Sequence, residues 1–137
     1  MSSKVLTTCP YCGTGCTFSL KVENNRLTGV IPNDVRAVND GKLCAKGHYG
    51  FDFVHHRDRL TTPLIRRGGK HGQLQPASWD EALDLVATTL KKTAAEHGPE
   101  ALAAFSSARC TNEENYLLQK MMRAGFGANN VDHCARL

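Results

Sequence analysis

Four cysteines spaced C-x2-C-x3-C-x27-C, namely Cys9, Cys12, Cys16 and Cys44, constrain this chain more than any other feature. The first three lie in Cys9-Pro10-Tyr11-Cys12-Gly13-Thr14-Gly15-Cys16, a tight, glycine-rich loop. Cubane [4Fe–4S] clusters are held by four thiolates, and closely spaced cysteines followed by a distant fourth are a recurring way to supply them. Gly13 and Gly15 suit such a loop, because glycine admits positive φ and lets backbone N–H groups approach the cluster sulfurs. Structural zinc also takes four cysteines, but usually as two short pairs, a pattern the x3 gap breaks. Disulfides need an oxidising compartment, and residues 1–6 carry no apolar run of a secretory signal. Nor is there a twin-arginine leader, since Arg66-Arg67 lies deep in the chain. An iron–sulfur cluster leads, with zinc and disulfides as the competing readings.

A length of 137 residues suffices for one domain, or for a small domain joined to part of another. A hydrophobic content of 41% suits a folded protein. No stretch is long and apolar enough for a membrane span, so a soluble, cytoplasmic protein without direct membrane insertion is expected. The formal charge of +4, from 17 Lys and Arg against 13 Asp and Glu, is mild and scattered. It forms no basic stripe with interleaved aromatics, which argues against nucleic acid as a partner. Bound anions, such as a thiolate cluster or a phosphate-bearing cofactor, account for the excess of base equally well.

Phe18, Leu20 and Val22 alternate with Ser19 and Lys21, and residues 17–32 read as a hairpin turning at Glu23-Asn24-Asn25-Arg26. Residues 4–8 have strand character, 33–43 are polar and turn-rich, and 47–54 suit a short helix or turn. A flexible turn is expected over 66–72. Ser78 and Glu81 then form a capping-box pattern, and Trp79, Leu83, Val86 and Leu90 recur at helical spacing, predicting a helix with one face on a core. Gly98-Pro99 stops it. Residues 101–106 read as a buried parallel strand, Asn112 as the cap of a second helix ending at Gly125 or Gly127, and 129–132 as entry to another strand. The fold class is therefore α+β, mixed: residues 1–60 form a small strand-based cluster lobe, and residues 61–137 begin a doubly wound α/β domain. Ligands bind beyond the carboxyl ends of strands in such sheets, which makes residues 106–111 and 132–137 candidates for cofactor contact. Two parallel strands leave edges unpaired, so the sequence reads as interrupted.

These motifs carry a resemblance. The cysteine loop, Gly41-Lys42-Leu43-Cys44-Ala45-Lys46-Gly47, the run from Asp58 to Arg66 and Ser78-Trp79-Asp80-Glu81-Ala82 resemble the molybdenum/tungsten bis-pyranopterin oxidoreductases. The segments 106–116 and 129–137 are similar to the formate dehydrogenases in particular. That resemblance implies the two-electron oxidation of formate to CO2, or its reverse. It implies a Mo- or W-bis(pyranopterin guanine dinucleotide), a [4Fe–4S] cluster held by Cys9, Cys12, Cys16 and Cys44, and an electron-transfer protein or subunit as partner. The family's metal ligand, cysteine or selenocysteine, comes immediately after the Cys-Ala-Arg-Leu segment. The chain ends at Leu137, one position short, so this polypeptide alone is expected not to turn over formate, and a selenocysteine codon read as stop is the expected reason. A nitrate reductase or other bis-pyranopterin enzyme is the near alternative. A free-standing iron–sulfur electron carrier is the distant one, disfavoured because residues 78–137 give it half a domain it does not need.

In the family, the lysine matching Lys46 lies between cluster and pterin, where its charge bridges the redox centres by positioning and charge compensation. A solvated surface lysine is the bland reading. Arg109 precedes a helix N-terminus, where a guanidinium and free N–H groups suit a phosphate or a pterin edge. Asn112 nearby reads at least equally well as a plain cap. Cys110 and Cys134 read as small buried hydrophobes, His133 as an ordinary packed or surface residue near the site. His55, His56 and the other histidines show no metal-ligand pairing.

Overall fold

The computed structural model describes residues 2–32 and 37–134. Residues 33–36 of the polar segment, and 135–137 at the end of the last candidate loop, lie outside the described residues. Cα packing divides the chain into two units: Met1–Arg59 with Ala104–Lys120 and Val131–Leu137, and Leu60–Ala103 with Met121–Asn130. Among the described residues, 104–120 and 131–134 thus pack with the amino-terminal part.

In the first unit, strands β1 (Ser2–Thr8), β2 (Thr17–Glu23) and β3 (Arg26–Pro32) form an antiparallel meander in that order. Glu23 pairs with Arg26, so the β2–β3 turn is the two residues Asn24 and Asn25, with φ of 49° and 61°. Two positive φ values in a two-residue hairpin demand residues that tolerate the left-handed region, and asparagine does. A register shift between Lys21 and Val22 adds local twist. Phe18 is 4% exposed and, with Cys9, forms the buried apolar centre of this unit. Helix α1 (Ala45–Tyr49) and a 3-10 turn (Asp52–His55) follow, the latter held to β3 by the Leu27 N–H donating to His55 Nε2 at 2.8 Å.

The same unit contains β6 (Ala104–Ser107), α3 (Asn112–Lys120) and β7 (Val131–Cys134), once β4 and β5 of the other unit are counted. β6 and β7 pair in parallel, from Ala104↔Val131 to Ser107↔Cys134. Strand, helix and parallel strand make the β-α-β element from which doubly wound sheets grow. The parallel pairing agrees with expectation, but the burial does not: Phe105 is 85% exposed. Cys134 is exposed and Cys110 only half-buried, so neither is the small core residue expected. Asn115 replaces packing with hydrogen bonds here, accepting from the Ser106 hydroxyl and donating to the Ser107 carbonyl at 3.1 Å.

In the second unit, β4 (Leu64–Arg66) and β5 (Leu74–Pro76) form a short hairpin whose connection has Gly68 and Gly69 at φ of 81° and 78°. Arg66 donates to the Gly72 carbonyl and the Arg67 N–H to the Gln73 carbonyl, so the expected flexible turn is a bonded one. Helix α2 (Trp79–His97) starts at Ser78, whose Oγ accepts from the Glu81 N–H at 3.1 Å. The Glu81 carboxylate binds Arg67 instead of completing the box. Gly98, at φ 84°, ends the helix, as expected.

The stripe of α2 is not core. Trp79 is 68% exposed, and Leu83 and Val86 are more than half exposed. Leu83, Val86 and Leu90, with Ala94, Met121 and Phe126, line an open groove of about 610 Å3. Periodicity reports which face would gain from burial, not whether an element covers it. The buried residues of this unit are Leu102, Met122 and Ala128. Asn130 stitches them by donating to the carbonyls of Glu100 and Leu102, while the π-helical turn Met121–Phe126 closes with the Ala128 N–H on the Met122 carbonyl.

Candidate metal centre

The cysteine loop is the connection between β1 and β2. Thr8 and Thr17 form the last strand pair, and the Cys9 N–H donates to the Cys16 carbonyl at 2.8 Å, extending the ladder one step into the loop. Cys9 and Cys16 therefore stand at the two feet of the loop, with Cys12 between them. Cys9 is 4% exposed, and its sulfur lies beside Gly47 of α1, where a Cβ would stand 3.5 Å away. Gly15 has a φ of 74°, as a glycine in a tight loop suggests. Gly13 does not: its requirement is space rather than φ.

Cys44 precedes α1 directly. Asn39 brings this segment to the loop, its amide accepting from the Thr17 N–H at 3.0 Å and donating to the carbonyls of Thr17 and Lys42. Tyr11 adds a second tie, its hydroxyl donating to the Gly50 carbonyl at the other end of α1. A side chain at Gly50 would strike that phenol and the Lys46 carbonyl.

The sulfurs feel one another. Burial raises the Cys16 thiol above its ordinary range, and Cys9, Cys12 and Cys44 add to the rise. Cys12 is lowered, first by the Thr14 hydroxyl 3.2 Å away, then by the Thr14 backbone N–H, with Lys46 contributing. Cys44 is lowered chiefly by the Gly47 N–H, then by the N–H and charge of Lys46, against the opposing effect of burial. The charge of the exposed Lys46 thus acts on both Cys12 and Cys44. Thiols gathered on one loop and at the start of α1, with N–H donors and one ammonium to offset negative charge, fit a thiolate-bound cluster. Among the described residues, no three Cys, His, Asp or Glu side chains converge as a single ion requires.

Arg109 is exposed, in the loop between β6 and α3. Its backbone N–H donates to Ser107 Oγ, and its guanidinium makes no hydrogen bond or ion pair among the described residues. His133 is likewise exposed. The α3 cap is Thr111, not Asn112: Thr111 Oγ1 accepts from the Glu114 N–H at 3.2 Å and Glu114 Oε2 accepts from the Thr111 N–H at 2.7 Å. Asn112, released from capping, donates from Nδ2 to the Gly13 carbonyl at 2.8 Å. Sequence reasoning missed this contact, which spans 99 positions. The T-x-x-E signature at 111–114 was the readable clue that Asn112 had another task.

Comparison with known proteins agrees with this geometry. Residues 2–56 match the molybdopterin oxidoreductase Fe4S4 domain, and residues 59–137 match the molybdopterin oxidoreductase family. The chain is 53% identical over 131 residues to the F420-dependent formate dehydrogenase 1 subunit alpha of Methanococcus maripaludis, covering 96% of this chain and 18% of that relative. It is 45% identical over 139 residues to formate dehydrogenase H of Escherichia coli, covering 98% of this chain and 19% of that one. The chain therefore spans about a fifth of these relatives. Among solved structures, acetylene hydratase from Pelobacter acetylenicus superposes with a TM-score of 0.64 at 25% identity, over 93% of this chain and 18% of that one. The Fe4S4 match decides for a [4Fe–4S] cluster over zinc or disulfides. With more than half its length matched by that family's own pattern, the chain belongs to the molybdopterin oxidoreductases.

Proposed function

We propose that this chain is the cluster-bearing part of a formate dehydrogenase catalytic subunit. Cys9, Cys12, Cys16 and Cys44 hold the [4Fe–4S] cluster, which when bound accepts and passes on one electron at a time. The observation that carries the reading is the placement of Cys9, Cys12 and Cys16 on one hairpin loop, with the segment that leads to Cys44 tied to it through Asn39. Lys46 offsets the charge gained on reduction and positions the outer side of the cluster toward a molybdenum- or tungsten-pterin centre. Arg109, with its guanidinium free, takes a phosphate or an edge of the pterin guanine dinucleotide. Residues 1–60 act as the cluster domain and 61–137 as the start of the pterin-binding domain, a division supported by family matches that meet between residues 56 and 59. Formate as substrate, an electron-transfer partner subunit, a selenocysteine metal ligand and a cytoplasmic location belong to the same reading. The names of the relatives from Methanococcus maripaludis and Escherichia coli support formate.

The test uses the full-length enzyme that carries this chain, purified anaerobically from its host. Electron paramagnetic resonance should show a reduced cubane cluster when formate is added, and Lys46→Ala should slow that reduction without changing iron content. A cluster reduced by dithionite but never by formate would reject formate as substrate and leave the cluster assignment standing.

A further inference from the structure

We propose that Asn112 is a positioning residue for the cluster: by holding the Gly13 carbonyl it sets the peptide that leads into Thr14, whose hydroxyl stands against the Cys12 sulfur. The inference rests on the cluster reading above and adds a residue from outside the cysteine motif.

Asn112 begins α3, and the reciprocal Thr111–Glu114 box fixes the backbone there. Its Nδ2 donates to the Gly13 carbonyl at 2.8 Å. Its Oδ1 lies only 2.5 Å from where a Gly13 Cβ would stand, so no other residue fits at position 13 without displacing the amide. The two positions are matched in shape and in hydrogen bonding.

The consequence runs through one peptide plane. The Gly13 C=O and Thr14 N–H belong to the same planar, trans amide and point in opposite directions. Fixing the carbonyl on one side therefore fixes the N–H on the other. That amide leads directly into Thr14, whose hydroxyl lies 3.2 Å from Cys12 Sγ. Hydrogen bonds to ligand sulfurs are among the main determinants of cluster reduction potential, because they stabilise the more negative, reduced state. Asn112 thus acts on electron affinity through Thr14 without touching a sulfur. The same amide ties the 107–112 loop, which carries Arg109, to the cluster loop.

The experiment is a redox titration of the cluster-loaded protein followed by electron paramagnetic resonance, with iron release to a chelator as second readout. Asn112→Ala and Asn112→Asp should both lower the midpoint potential while iron content stays whole, and iron release should speed up roughly five-fold, as loss of one hydrogen bond predicts. Gly13→Ala should accelerate iron release in the unsubstituted protein and add little in the Asn112→Ala background, because the collision is gone. An unchanged potential in both Asn112 variants, or a Gly13→Ala effect of equal size in both backgrounds, overturns the proposal. Absence of any cluster in the unsubstituted protein would instead reject the reading on which it rests.

Discussion

The two packing units hold themselves together by different means. The first, around the cysteine loop, is cross-linked by polar side chains reaching over long stretches of chain: Asn39 to Thr17, Tyr11 to Gly50, His55 to Leu27, Asn112 to Gly13. The second has one such tie among the described residues, Asn130 to the Glu100 and Leu102 carbonyls, relies otherwise on local devices such as the cap at Ser78 and the glycine stop at Gly98, and leaves the apolar face of α2 in the open. A region that must hold several ligands at fixed positions gains from directional bonds. Packing alone tolerates sliding that an iron–sulfur ligand set does not.

The comparison can be broken in four ways, from the largest effect to the smallest. Replacing Cys9, Cys12, Cys16 or Cys44 by serine should remove most of the cluster, since a hydroxyl is a harder, poorer ligand for iron, whereas Cys110→Ser and Cys134→Ser should leave iron and labile sulfide at full occupancy. Loss of the cluster in Cys110→Ser with retention in Cys44→Ser would reverse the ligand assignment. Next, Phe18→Ala should cost about 3 kcal/mol in urea unfolding of the cluster-loaded protein, as truncation of a buried aromatic does. A cost below 1 kcal/mol would mean that the polar cross-links suffice without an apolar centre.

The caps come third. Thr111→Ala and Ser78→Ala should each cost about 1 kcal/mol, with the larger loss at Thr111, where Glu114 also accepts from the Thr111 N–H to close a reciprocal box. Equal losses would show that the Arg67–Glu81 pair compensates for the half-formed box at Ser78. Smallest of all, Leu83→Lys on the open face of α2 should change stability by less than about 0.5 kcal/mol, as exposed substitutions do. A loss of 2 kcal/mol or more would show that this face is covered in solution, and would erase the contrast between the units.

Local features were legible in the sequence. The Asn24-Asn25 turn, the Ser78 cap and the Gly98 stop each depend on a few neighbouring residues, and each stands where the chemistry of those residues puts it. The parallel β6–β7 pair followed from helix and strand order. Burial was not legible: Trp79 and Phe105 have the right character for a core, but exposure depends on what lies opposite, which periodicity does not encode. Nor was the task of Asn112, because an amide makes equally good bonds to its own helix or to a carbonyl 99 positions away. At the centre itself the four cysteines and Lys46 were readable from spacing and resemblance; the ties through Asn39, Tyr11 and Thr14 that shape their surroundings were not.

The loop that carries three of the cysteines is also a hairpin connection, and this bears on the order in which the site is built. β1, β2 and β3 pair with their neighbours in sequence, and hairpins of this kind close in roughly 1–10 μs. Closing the meander therefore gathers Cys9, Cys12 and Cys16 through short-range contacts alone. Cys44 comes in across 27 intervening residues, a longer closure but not a prohibitive one, since each doubling of loop length costs only about 0.6 kcal/mol. Three of the four thiols are thereby gathered by contacts between neighbouring strands, and the fourth depends on the longer closure that the Asn39–Thr17 bonds secure.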